Sequence, residues 1–188
     1  MKSQFSGHFL FLVLLTISAS CLDVSSLDTN STSNETSDSF SEFSNLLGRQ
    51  AVNLNGRKMT KEVLLENETE TLHLIVDSAE LKSELEIFDD LDLRQYRVSE
   101  SYAKEVKNDL TTYRRNGKNG PQEVTIERNS NGSISSIKGH YDESNLLYNS
   151  SRKYVLSFES GELTSYEFSG FQKIIFQDTV FFAINAKL

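Results

Sequence analysis

The sequence predicts an α+β fold, with N-terminal helices packed on an antiparallel β-meander, a curved sheet or half-barrel. Two observations carry this. Amphipathic three-to-four-residue spacing is confined to the first half of the chain. The second half alternates apolar and polar residues in short runs separated by Asn-Gly, Ser-Gly and other turn pairs, which suits hairpins rather than helical crossovers.

Residues 1–20 come first. Lys2 precedes an apolar run from Phe9 to Ile17, followed by Ser18-Ala19-Ser20-Cys21. A basic start, about ten apolar residues and a small-residue exit make the three-part pattern of a secretory signal. The run is shorter than the roughly 20 residues of a membrane span. Small residues ahead of Cys21 resemble the lipobox of bacterial lipoproteins, although Ser18 replaces the usual leucine-like residue. That resemblance implies cleavage before Cys21 and diacylation of its thiol, a firm anchor because more than one acyl chain is attached. The alternative is an ordinary signal cut near Ala19 or Ser20, which leaves Cys21 as a free thiol.

An acidic tether is expected over 21–38. Residues 22–45 hold eight serines, three threonines and five acids but no lysine or arginine, too little apolar surface to offset ordering entropy. A single α+β domain is expected over 39–188. Residues 22–45 thus carry −5, and the chain beyond them, with 22 acids and 18 bases, is nearly balanced. An acidic chain of this kind lacks the basic face that nucleic acid requires, so none is expected as a partner.

Within the domain, Phe40, Phe43, Leu46, Leu47 and Ala51 predict a helix over 39–52, ended by Asn53-Leu54-Asn55-Gly56. Alternation of Leu72, Leu74 and Val76 predicts a hairpin across 58–76. Asp77, with Glu80 three residues on, reads as an N-cap, and Leu81, Leu85 and Phe88 form the stripe of a helix over 77–90. Strands follow over 97–106, 109–115, 122–129, 132–141, 152–159, 162–169, 171–177 and 179–186, with Gly170 read as a turn between two of them. Phe181 and Phe182 must point to opposite faces, so one leaves the main core for a second layer or a groove.

Several pairs and runs carry a further resemblance: Lys61-Glu62-Val63, Val76-Asp77, Glu84-Leu85, Ile87-Phe88, Asp90-Leu91-Asp92-Leu93, Ser101-Tyr102, Asn145-Leu146-Leu147-Tyr148, Leu163-Thr164-Ser165-Tyr166 and Gly170-Phe171-Gln172-Lys173. Over about residues 39–188 the chain resembles a family of outer-membrane lipoproteins of Bacteroidota-type bacteria. Ser78 and Ala79 follow Asp77 where that family often carries tryptophan. The resemblance implies an envelope location and no catalytic residues.

Chemistry-bearing patterns are sparse. Beyond the signal, His73 and His140 lack metal-ligand spacing, and no GxSxG elbow or phosphate loop is present. Asp89, Asp90 and Asp92 are the densest acids and the one speculative ion or carbohydrate site, although they lack the glycine and terminal glutamate of a calcium loop. At a helix C-terminus they are ill placed for the macrodipole, and a solvated turn accounts for them as well. Arg114, Arg115 and Lys118, with Lys104 and Lys107, form the most basic stretch, suited to an anionic surface or to a charged tip that protects a sheet edge.

These features predict a non-enzymatic envelope lipoprotein without a cofactor, held in the membrane through Cys21 and binding an envelope protein or polymer. A carrier that holds a lipid in a cavity between sheet and helix is the alternative. A hydrolase would need two carboxylates about 5 to 10 Å apart in a cleft.

Overall fold

The computed structural model describes residues 43–96 and 101–188. The signal, Cys21, the tether and the outset of the first predicted helix lie outside the described residues, as do residues 97–100 of the predicted strand 97–106.

Helix α1 (Phe43–Asn53) buries Phe43, Leu47 and Ala51, which four-residue spacing places on one face. Gln50 on that face is buried too, and its amide is satisfied at both ends. Nε2 donates to the Gly161 carbonyl at 2.9 Å, and Oε1 accepts from the Leu163 amide at 2.9 Å. The helix ends at the expected turn, where Gly56 takes a φ of 79°.

Strands β1 (Lys58–Leu65) and β2 (Glu68–Ile75) form the expected hairpin. Asp77 then caps α2 (Ser78–Leu85), its Oδ1 accepting from the amides of Ala79 at 2.8 Å and Glu80 at 3.0 Å. Leu81 and Leu85 are buried as predicted. The helix does not run on to residue 90: it tightens into a 3-10 turn over Glu86–Leu91, and a second follows over Leu93–Tyr96. The tighter winding aims Phe88, Leu91 and Leu93 at the sheet, where all three are fully buried.

Strands β3 (Tyr102–Lys107), β4 (Leu110–Arg115), β5 (Glu123–Arg128), β6 (Ile134–Ser144), β7 (Tyr148–Glu159), β8 (Glu162–Ile174) and β9 (Val180–Lys187) complete the sheet. Each pairs antiparallel with the next, and β1 pairs with β9, giving the order β2-β1-β9-β8-β7-β6-β5-β4-β3. The fold is thus mostly β. Its helices do not form an N-terminal pair, because the β1–β2 hairpin separates them. Nor does the sheet close, since β2 and β3 remain as edges.

Gly170 is not a turn. The two strands expected at 162–169 and 171–177 are one strand, β8, with Gly170 inside it opposite Arg152. A Cβ there would lie 1.9 Å from the Ser151 carbonyl oxygen, so the glycine marks a close backbone approach. Strands β6 and β7 also run further than expected, and they meet in a tight turn over 145–147.

One face of the sheet packs on the helices. Its central cross-strand row runs Tyr113, Val124, Gly139, Tyr154, Phe168, Ile184. Gly139 leaves a hole that Leu91 fills; a Cβ at 139 would lie 2.1 Å from Leu91 Cδ2. Phe88 packs edge-on against Tyr154 and Tyr166, with centroids 6.0 and 5.9 Å away. Phe181 and Phe182 do diverge: Phe182 stacks on Phe168 at 5.1 Å, while Phe181 is exposed beside Phe171. Among the described residues no helix is long and apolar enough to cross a membrane.

Candidate functional site

Asp89, Asp90 and Asp92 fall on the 3-10 segment and its end, where three residues per turn send successive side chains in different directions. The cluster therefore disperses. Asp92 turns back on Arg94, accepting from its Nε at 2.8 Å and pairing with its Nη2. Asp90 faces the sheet, and its Oδ2 accepts from Tyr154 Oη at 2.6 Å and Arg152 Nη1 at 3.0 Å. Asp89 stays at the surface; partial burial first, then Glu86, Asp92 and Asp90, raise its carboxyl above the usual range. Among the described residues no group of three or more His, Cys, Asp or Glu is arranged to hold a metal ion.

Asp90 belongs instead to a network not read from the sequence. The Arg152 guanidinium lies 4.4 Å from the centre of the Tyr141 ring, and its Nη2 is 3.9 Å from Glu143. Burial pushes the Tyr96 phenol up to about 12, with Asp90 adding to the effect. Burial likewise raises Tyr141 and Tyr154, Tyr154 also through its hydrogen bond to Asp90. Arg152 and Tyr154 sit more than sixty positions from Asp90 in sequence. Only the strand register could have named them, since residues 152 and 154 must share the face that meets the helices.

The basic stretch is likewise committed to the fold. Arg114 reaches its cross-strand partner Glu123 at 2.9 Å and the diagonal neighbour Glu105 at 3.0 Å. Arg115 donates to the Gly120 carbonyl, and Lys104 lies over the Tyr113 ring. Lys104 and Lys107 stand on the edge strand β3, where charge discourages pairing with another chain.

The opposite face of the sheet carries no described helix. Two adjacent cross-strand rows run along it: Thr112, Thr125, Lys138, Val155 and Arg114, Glu123, His140, Lys153. They form a trough of about 310 Å³ lined by Glu123, Thr125, Lys138, His140, Lys153 and Val155. His140 sits in its floor with Ser151 Oγ at 3.2 Å and Asp142 Oδ1 at 2.9 Å. Both contacts are to Nε2. A nucleophile relay needs the serine and the carboxylate on opposite ring nitrogens, so these three side chains do not form one. His73 is exposed on β2, its Nδ1 3.2 Å from Thr60 Oγ1.

Compared with models of protein families, with curated proteins and with solved structures, the chain matches none.

Proposed function

We propose that this chain is a non-enzymatic binding module of a bacterial envelope, held in the outer membrane through acylated Cys21 and binding a protein or polymer on the sheet face opposite the described helices. The observation that carries the binding role is the trough: two lysines, a histidine and a glutamate line an open concavity on regular strands, which position side chains rigidly. The acids that chemistry would recruit serve the fold instead, Asp90 with Arg152 and Tyr154, Asp92 with Arg94. Large buried side chains occupy the space between helices and sheet, including Phe88, Leu91, Tyr154 and Tyr166. A lipid carrier would need several hundred Å³ there, so the open face is the better-supported surface.

The anchor follows from Ser18-Ala19-Ser20-Cys21 and from the resemblance to envelope lipoproteins. Two experiments test the reading. Metabolic labelling with an alkyne fatty acid should mark the native chain and leave Cys21→Ala unmarked; label that survives the substitution ends the anchor. A photo-crosslinking amino acid at Thr125, in the trough, should trap a partner in intact cells, whereas the same group at Val52 on α1 should not. Equal trapping at both positions removes the assignment to this face.

A further inference from the structure

The turns joining β6 to β7 and β8 to β9 lie side by side, because Tyr148 pairs with Ile174 and the Ile175 amide donates to the Leu147 carbonyl at 2.9 Å. Their tips are apolar. Leu146 is 93% exposed, Leu147 63%, Ile175 42% and Phe176 98%. Phe176 is also the one aromatic among the described non-glycine residues with positive φ, at 64°. A bulky side chain in that region is costly, and glycine or asparagine would sit there more easily. An exposed phenylalanine gains nothing from the fold in return, so its presence points to something outside the chain.

We propose that these paired tips are a wedge that enters the acyl layer of a phospholipid bilayer. Three features select lipid over a second copy of the chain. The four side chains expose on the order of 500 Å² together, short of the ~800 Å² per partner of a stable protein interface. The tips bring no charge with them: 144–149 and 174–177 hold no Asp, Glu, Lys or Arg, and the residues flanking them in sequence, Glu143, Lys173 and Asp178, carry both signs. That arrangement suits a headgroup layer carrying both phosphate and amine. Finally, the amides of Asn145, Leu147, Ile175 and Gln177 are satisfied within the turns, which lowers the cost of entering hydrocarbon. Asn145 donates to Tyr148 at 2.8 Å, Leu147 to the Asn145 side chain at 2.9 Å, and Gln177 to Ile174 at 3.0 Å.

The wedge deepens the membrane location proposed above without using Cys21, and the test keeps the two apart. The full chain carrying Cys21→Ser and Phe176→Cys takes a polarity-sensitive fluorophore at the tip alone; a second chain takes it at Val52→Cys on α1. With vesicles of phosphatidylethanolamine and phosphatidylglycerol, the label at 176 should shift to the blue and be quenched by spin-labelled acyl chains. The label at 52 should do neither. In the Cys21→Ser chain without a label, Leu146→Ser with Phe176→Ser should weaken vesicle partitioning on the order of 100-fold while leaving the melting curve unchanged. An unshifted label at 176, or undiminished partitioning of the double variant, overturns the wedge. So does a shift that appears without vesicles and tracks dimer formation, which would mark a contact between copies. Failure of fatty-acid labelling at Cys21 touches none of these readings.

Discussion

Gly170→Ala should be among the most damaging small substitutions in this chain. The added Cβ would stand 1.9 Å from the Ser151 carbonyl oxygen, 3.0 Å from its carbon and 3.1 Å from Arg152 Cα. A carbon–oxygen contact settles near about 3.3 Å, so β7 and β8 must part locally by roughly 1.4 Å. Every neighbour in the way is backbone, and no rotamer change relieves it. Such an opening takes the local ladder hydrogen bonds past useful length, at Ser151–Phe171, Arg152–Gly170 and Lys153–Ser169. Two or three bonds at about 1 kcal/mol each, with about 1–2 kcal/mol of residual strain, give a loss near 4 kcal/mol. In a domain of this size that lowers Tm by roughly 8–16 °C. Urea titration and calorimetry measure both quantities. Gly48→Ala is the matched control, since its Cβ meets nothing within 4 Å on helix α1 and should stabilise by about 0.5–1 kcal/mol. A Gly170→Ala protein within about 0.5 kcal/mol of its parent would refute the close-approach account.

Three further outcomes follow from the packing. Gln50→Ala strands the Gly161 carbonyl and the Leu163 amide and should cost about 2 kcal/mol by urea titration; a change near zero would mean that water replaces both bonds. Asp90→Ala leaves Arg152 and Tyr154 without their shared acceptor, so a double-mutant cycle with Arg152→Met should show coupling of about 1–2 kcal/mol, and additive losses would dissolve the network. The phenols of Tyr96, Tyr102, Tyr154 and Tyr166 are all raised, chiefly by burial, Tyr96 to about 12. Below about 10, the unfolded tyrosine value, both states keep these protons and stability is complete. As pH climbs from there through about 12, the unfolded chain loses protons that the native state retains, and stability falls. Absorbance at the phenolate band should thus show these tyrosines ionising late and together with unfolding; independent titration near 10 in a folded chain would contradict their burial.

Local chemistry was legible where one element contained it. The Phe43, Leu47, Ala51 stripe and the Asp77 cap needed only neighbouring residues, and both stand as read. Gly170 reads as a turn in the sequence because a glycine in a turn and a glycine under a neighbouring backbone look alike until the partner strand is known. For the acids at 89, 90 and 92 the sequence leaves both a shared site and a solvated turn open. Adjacency along the chain suggested a shared site, while the 3-10 winding separates them and gives Asp90 to residues on β7. The trough and the apolar tips are products of register, and register is fixed only by the assembled sheet. Leu146 and Leu147 between Asn145 and Tyr148 do carry a signal, since a turn that is apolar at its centre breaks the rule that turns are polar.

The pairing of β1 with β9 has a consequence for how the chain reaches its native state. Strands β3 to β9 join consecutive neighbours and can zip from local turns. The β1–β2 hairpin, although early in sequence, adds to the sheet only once β9 exists, and Gln50 likewise waits for Leu163, 113 residues later. Loop-closure entropy must be met before those contacts return anything, which slows folding and delays cooperativity until the chain is nearly complete. In a chain emerging from a ribosome the β1–β2 hairpin would stay undocked from the sheet until β9 is made. That makes β9 the strand whose removal should abolish cooperative unfolding outright.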